Sequence, residues 1–149
     1  MVSIVFKIIK IKFLFPLVFL LTSCATGQIY QDVTFKERSE NDGRIYFYRN
    51  KAGGFGSGIR PPINIDGLTV GRAISGGFFY VDRPQGAYNI SVKSDIKENV
   101  VSINLKGGET YYVQLKTRMG LMTARIIPEV VDSLKGQQEI QACKLDNGL

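Results

Sequence analysis

Short segments of β-branched and aromatic residues recur along the chain, and each is bounded by Gly, Pro, Asp or Asn. Within most segments apolar and polar residues alternate, as in Ile63-Asn64-Ile65, which is the period of a strand with one buried face. The segments follow one another at spacings of about ten residues. This pattern predicts an all-β fold, an antiparallel β-sandwich of about seven to eight strands.

The clearest strand is the aromatic segment 44–49, Arg-Ile-Tyr-Phe-Tyr-Arg. Because successive side chains of a strand point to opposite faces, we expect Ile45 and Phe47 on one face and Tyr46 and Tyr48 on the other.

Asp66-Gly67 is expected to turn the chain back on itself after Ile65, since Asp and Gly tolerate the positive φ of a tight hairpin. Farther along, the rings of Tyr88 and Tyr111 are expected to pack inward, with each hydroxyl bonded to a backbone group at the rim of the sandwich.

The C-terminal part should change from strand to helix at Pro128, because proline cannot donate a ladder hydrogen bond. The spacing of Val130, Val131 and Leu134 then predicts a short helix from about Pro128 to Lys135. We accordingly assign residues 43–143 to the β-sandwich domain and 144–149 to a tail.

The N-terminal part has the composition of a signal peptide. Lys7, Lys10 and Lys12 precede an uncharged apolar run over residues 13–21. A spanning helix needs about 20 apolar residues and this run has about half of that, so a membrane span is the weaker interpretation. Residues 1–23 are therefore predicted to be a removable signal peptide.

The tetrapeptide Leu21-Thr22-Ser23-Cys24 that ends this run resembles the bacterial lipobox. The resemblance implies a diacylglycerol group on the Cys24 thiol, cleavage between Ser23 and Cys24, and an added acyl chain such as palmitate. Ala25 replaces the Asp that usually retains lipoproteins in the inner membrane, which favours the outer membrane. Ordinary secretion and an uncleaved anchor are the alternatives.

The mostly polar residues 24–42 are predicted to form a tether between the lipid and the domain. Its few apolar side chains, Ile29, Tyr30, Val33 and Phe35, could dock on the domain as an irregular stretch.

Composition limits the chemistry of the domain. The chain has no His, two Cys and a formal net charge of +6, with Lys and Arg scattered rather than clustered, so nucleic acid is not an expected partner. If Cys24 is lipidated, Cys143 is left as an unpaired thiol that could still pair between chains. If Cys24 is not lipidated, a bridge from Cys24 to Cys143 is the alternative.

No catalytic, cofactor or metal site is predicted. The glycine-rich loop 53–58 lacks the spacing of a phosphate-binding loop, and the acids lie singly in turns. No His can activate the serines. A binding or structural module is therefore expected, with a periplasmic enzyme acting on cell wall or lipid as the alternative.

Four groups of residues resemble an uncharacterised family of bacterial lipoprotein domains that is similar to the PEGA-type β domains. The resemblance covers residues 43–143 and implies fold and location, not activity. The groups are Arg44–Arg49, Ile65–Gly67 with Val70-Gly71, Pro84–Tyr88 and Gly107–Tyr112.

The sequence thus predicts a lipid-anchored cell-envelope protein whose partners are the membrane and an unknown envelope protein or polymer. Phe55, Tyr46 and Tyr48 are the candidate contacts, on the expectation that their side chains are exposed. The simpler interpretation is that both tyrosines are ordinary strand-surface residues.

Overall fold

The structure is a computed structural model that describes residues 27–54, 56–94 and 96–146. These residues form nine strands, one helix and one 3₁₀ turn. In chain order they are the 3₁₀ turn Tyr30–Asp32, β1 Asp42–Tyr48, β2 Pro62–Ile65, β3 Leu68–Arg72, β4 Gly77–Pro84, β5 Gly86–Ser94, β6 Lys97–Leu105, β7 Thr110–Met119, β8 Ala124–Val131, α1 Ser133–Ile140 and β9 Lys144–Leu145.

The strands form two sheets, which confirms the predicted all-β sandwich. The five-stranded sheet has the order β8-β7-β1-β4-β9, and the four-stranded sheet has the order β3-β2-β5-β6. Most neighbours are antiparallel, but β1 pairs with β7, and β4 with β9, in parallel. Both parallel pairs join segments that are distant along the chain, so no local turn signal could indicate them.

The main core lies between the sheets. Ile45 and Phe47 of β1 are fully buried there and face Ile63, Ile90 and other aliphatic residues of the four-stranded sheet. The alternation predicted for β1 is confirmed, because Tyr46 and Tyr48 belong to a second apolar cluster on the opposite face. Burial of these aliphatic side chains is the main force that holds the sheets together.

A third layer covers the outer face of the five-stranded sheet. It consists of α1, the buried Cys143 and the N-terminal segment that carries Tyr30 and Phe35. Gly136 and Ile140 are the buried residues of α1. The helix begins where the Asp132 side chain accepts a hydrogen bond from Lys135 N at 2.9 Å.

The predicted helix bounds are wrong. The strand β8 continues through Pro128 to Val131, and α1 begins only at Ser133. Pro128 is tolerated because β8 is an edge strand of the five-stranded sheet, where one side of the backbone needs no ladder partner.

The N-terminal segment is docked over its described length. Tyr30, Val33 and Phe35 pack against the outer cluster, as predicted, whereas Ile29 stays 42% exposed. From Gly27 onward the segment is therefore part of the folded body and not a free tether. The predicted tail also differs, since Lys144–Leu145 forms β9 against β4.

Three local predictions are confirmed. Asp66 and Gly67 have φ values of 48° and 82° between β2 and β3, as the hairpin requires. The Tyr88 hydroxyl donates to Pro84 O at 2.8 Å, and the Tyr111 hydroxyl donates to Asn104 O at 2.7 Å.

Candidate functional site

Three of the predicted site residues, Ser23, Cys24 and Phe55, lie outside the residues that the structure describes. The lipobox and the Phe55 contact therefore remain predictions. The loop around Phe55 is described on both sides of that residue, and its position is set by Arg49.

The Arg49 side chain holds the glycine-rich loop against the sandwich. It is 1% exposed, and its guanidinium donates to the carbonyl oxygens of Gly56, Ile59 and Ala73 at 2.6 to 2.8 Å. Nε and Nη2 also donate to Thr117 Oγ1. Every N–H of the group is satisfied. Burial lowers the pKa of Arg49. The hydrogen bonds of the guanidinium hold the glycine-rich loop in position.

The expected exposure of Tyr46 and Tyr48 is wrong. Their exposed fractions are 5% and 0%, because α1 and the N-terminal segment cover the face on which they lie. Neither side chain can contact a partner while that layer is in place. The ring of Tyr46 stacks on Tyr112 with 5.2 Å between centroids.

Polar groups at this face are bonded to one another. The Tyr48 hydroxyl donates to Glu139 Oε2 at 2.6 Å, and Gln114 Nε2 donates to the same oxygen at 2.7 Å. Burial raises the pKa of Tyr46 to about 12. Burial and the bond to Glu139 also raise the pKa of Tyr48, so both phenols stay protonated at neutral pH.

The Cys143 thiol is free, and it lies at the bottom of the same cluster with 0% exposure. Its Sγ donates to Arg49 O at 3.7 Å. Disulfide pairing between chains, which the sequence left open, would require this layer to open first. Burial, with a smaller effect of Glu139, raises the pKa of Cys143 from 9.0 to about 11.

We expect this thiol to make folding sensitive to alkali. Between pH 9.0 and about 11 the unfolded chain loses a proton that the folded chain keeps, so stability falls as pH rises through that window. The loss should reach about 2 kcal/mol. Urea unfolding at a series of pH values, under reducing conditions, measures it.

Cys143→Ala is the control for this prediction. The variant should lose less stability than the wild type over the same pH window, because it has no thiol to titrate. The tyrosines are present in both proteins, so the difference between the two curves reports mainly the thiol. Parallel stability curves for the two proteins would contradict the prediction.

The charged groups that could suggest catalysis are engaged in structural contacts. Asp66 Oδ1 accepts a hydrogen bond from Asn89 N at 2.9 Å, and Asp82 forms a two-pronged ion pair with Arg44. Glu129 accepts a hydrogen bond from Lys116 at 2.6 Å, which lowers its pKa. Across the described ranges, no group of three or more Cys, Asp or Glu residues is placed to hold a metal ion.

A basic cleft opens where the parallel pair β1 and β7 separates. The two strands are paired as far as Tyr48 and Gln114, after which β1 ends and β7 continues to Met119. The resulting cleft has a volume of about 360 Å³. Its lining residues are Asn50, Lys51 and Ala52 on one side and Gln114, Leu115, Lys116, Thr117 and Arg118 on the other.

Positive charge accumulates around this cleft. Of its cations, Lys116 is paired with Glu129, whereas Lys51 and Arg118 form no ion pair with any described residue. Arg118 lies directly opposite Arg125 in the register of β7 and β8. The Arg125 Nε–H group is buried and has no hydrogen-bond partner within the described part of the chain.

An apolar tip lies beside the cleft, in the turn that joins β7 to β8. We define it as Met119, Leu121 and Met122, whose exposed fractions are 74%, 82% and 79%. Ile96, 71% exposed, lies in the β5–β6 turn at the same end of the sandwich. The two hairpins meet there, since Ile126 N donates to Ser94 Oγ at 2.7 Å.

The sequence interpretation missed this tip. The available signal was a turn with apolar residues where Asn, Asp, Ser or Pro are usual. Two arginines, Arg118 and Arg125, flank that turn.

A second cleft of about 450 Å³ lies at the other end of β7, beside the start of α1. Glu109 and Asp132 are its only charged lining residues. It therefore lacks the positive charge of the basic cleft.

Comparisons with known proteins give one match. Comparison with curated proteins and with solved structures found no match. Among the described residues, no helix has the length and hydropathy needed to cross a membrane. A family model described as "Protein of unknown function (DUF2846)" matches residues 39–126, more than half of the chain. The match contains the whole four-stranded sheet together with β1, β4 and β7, and the chain belongs to this family of unknown function.

Proposed function

We propose that this protein is a lipid-anchored lipoprotein of the cell envelope, held in the outer membrane, and that its β-sandwich is a non-catalytic binding module. The single observation that carries the proposal is the tetrapeptide Leu21-Thr22-Ser23-Cys24 after a short apolar run. Its residue types are those that lipidation at Cys24 and cleavage after Ser23 require. The likeness to PEGA-type domains is part of the same proposal.

The position of the folded body is compatible with this processing. Every described residue lies after Cys24, so cleavage would leave the whole sandwich attached to the lipid. Gly27 lies against the backbone of Leu145 in β9, at one edge of the five-stranded sheet. Cys24 precedes Gly27 by three residues, a reach of at most about 10 Å. The anchor would therefore hold the β9 edge close to the bilayer.

The lipid also has energetic consequences that fit a stable anchor. Each buried methylene contributes about 0.8 kcal/mol, so the two or three acyl chains of a processed lipoprotein hold it stably. Cys143 does not compete for modification, because its thiol is fully buried in the folded domain.

Labelling with radioactive palmitate tests the proposal. The wild-type protein should incorporate label and fractionate with outer membranes. Cys24→Ser should incorporate none and should keep residues 1–23, which a mass measurement detects. The lipid is attached only through Cys24, so the expected loss is complete.

Cys143→Ala is the matched control, since it removes the other cysteine and should leave labelling unchanged. Incorporation of palmitate into Cys24→Ser would refute the proposed anchor. Label that fractionates with the inner membrane would refute the proposed location while leaving the lipidation intact.

A further inference from the structure

We propose that the apolar tip and the basic cleft together form a second membrane contact, which docks the sandwich on an anionic lipid surface. The proposal rests on the proposed function only in that the lipid anchor brings the domain to the bilayer. The contact itself is carried by the geometry at the β7–β8 end of the sandwich.

The apolar part of the contact is the tip. Met119, Leu121 and Met122 are each at least 74% exposed, although apolar residues of this size are usually buried. They lie within residues 119–122, at the end of β7 and in the turn after it, and extend past the end of β1, because β7 is paired with β1 only as far as Gln114. A protruding apolar loop can enter the interfacial region of a bilayer without any change in the fold.

The charged part lies directly behind the tip. Arg118 and Arg125 face each other across the hairpin, an arrangement that destabilises a strand pair unless an anion neutralises it. The buried Nε–H of Arg125 has no acceptor among the described residues, and Lys51 across the cleft has no ion-pair partner there. A lipid phosphate would neutralise Lys51 and Arg118, which line the cleft, and would reduce the repulsion between Arg118 and Arg125.

The two parts indicate one occupant. In a bilayer the acyl chains lie below the anionic headgroups. The tip has the same order, with apolar side chains outermost and cations behind them. The apolar side chains would therefore reach the acyl region while the cations contact the headgroups. The tip lies by β8, at the opposite edge of the five-stranded sheet from β9, which Gly27 contacts three residues after the proposed anchor Cys24. Contacts at both edges would fix the orientation of the domain on the membrane.

The experiment uses the full lipidated protein, purified from membranes and reconstituted into vesicles. Met122→Cys in a Cys143→Ala background carries a polarity-sensitive dye at the tip. Gln85→Cys, in the turn at the opposite end of the sandwich, carries the same dye as the matched control. Circular dichroism checks that each labelled protein is folded.

We expect the tip dye to shift to shorter wavelength in vesicles that contain phosphatidylglycerol, and the Gln85→Cys dye to remain in water. Arg118→Gln should lower the docking equilibrium constant by about fivefold. Lys106→Gln, which removes one exposed charge at the opposite end, should not change it. High salt should weaken docking, because it screens exposed charges.

Several results would overturn the proposal. One is a tip dye that stays in water although the protein floats with the vesicles. Another is an equal shift in vesicles of phosphatidylcholine alone, since no anionic surface would then be needed. A third is a shift that appears only after envelope proteins are added, which would make the tip a protein contact.

Failure of the lipid anchor is distinguishable from failure of this contact. A lipidated Cys24 has no free thiol, so the dye attaches there only if the anchor is absent, and peptide mass analysis detects that label. A protein that is blocked at Cys24 and bound to vesicles, but has a water-exposed tip, refutes the second contact alone.

Discussion

Asp82→Leu is expected to destabilise the folded protein by about 3 kcal/mol, because it leaves a nearly buried arginine without its counter-charge. Arg44 is 8% exposed, and its Nε and Nη2 donate to the two oxygens of Asp82 at 2.7 and 2.8 Å. That bond is the main reason that the pKa of Arg44 is raised. The urea dependence of unfolding measures the change.

The double variant Arg44→Met with Asp82→Leu is the control. It removes both charges and should return to within about 1 kcal/mol of the wild type, since a buried ion pair can usually be replaced by apolar groups of similar size. A double variant that is as unstable as Asp82→Leu would show that shape, rather than charge, sets the effect. The guanidinium also lies 4.3 Å from the centre of the Tyr80 ring, and that contact is lost in the double variant.

Gly136→Ala is expected to destabilise the protein by about 2 kcal/mol, although alanine is the better helix former. Gly136 is the point at which α1 lies on β7. A Cβ at this position would come closer than 3.0 Å to the Cβ, Cγ and Cδ1 atoms of Tyr112. Those atoms are held by the strand and by stacking on Tyr46, so the helix has to move outward. Urea unfolding again measures the loss.

Gln138→Ala is the matched control on the same helix. Gln138 is exposed, so its replacement should change stability by no more than about 0.5 kcal/mol. If Gly136→Ala instead stabilised the protein, α1 would not lie on Tyr112 as closely as described. Fluorescence of the outer tyrosines provides a second readout, because Tyr46 and Tyr48 become exposed when α1 moves.

The third layer determines which apolar surface of the sandwich remains exposed. The layer buries an aromatic face of the five-stranded sheet that would otherwise be exposed to solvent. With that face covered, the exposed apolar residues that lie together at one end of the sandwich are Met119, Leu121, Met122 and, in the neighbouring turn, Ile96. The packing of α1 and the N-terminal segment therefore decides which surface is left for a membrane or a partner.

The fold class was predictable because it depends on local patterns. Alternation in β1 and the Asp66-Gly67 turn each depend on a few neighbouring residues, and the structure confirms both. The strand end predicted at Pro128 was wrong, because the edge position of β8 that tolerates a proline is set by the whole sheet. The rim contacts of Tyr88 and Tyr111 were predictable for the same reason, since an amphipathic ring at a strand end needs a nearby backbone acceptor.

The candidate site was predictable only in part. The lipobox is a contiguous motif, so the sequence alone is enough to predict lipidation at Cys24. The exposure of Tyr46 and Tyr48 was predicted wrongly because alternation shows that two faces exist, but not what covers the second one. The basic cleft needs Lys51 and Arg118 together, and these residues are 67 positions apart in the chain.

Local chemistry along the chain is thus sufficient for the two-sheet sandwich, its tight turns and the proposed site of lipid attachment, since each depends on neighbouring residues. The parallel pairing of β1 with β7, the position of α1 over the tyrosines and the protruding β7–β8 turn depend on contacts between distant segments. Such contacts form only where the packing energy of the whole domain outweighs the entropy cost of closing long loops. A short sequence motif cannot predict whether that condition is met.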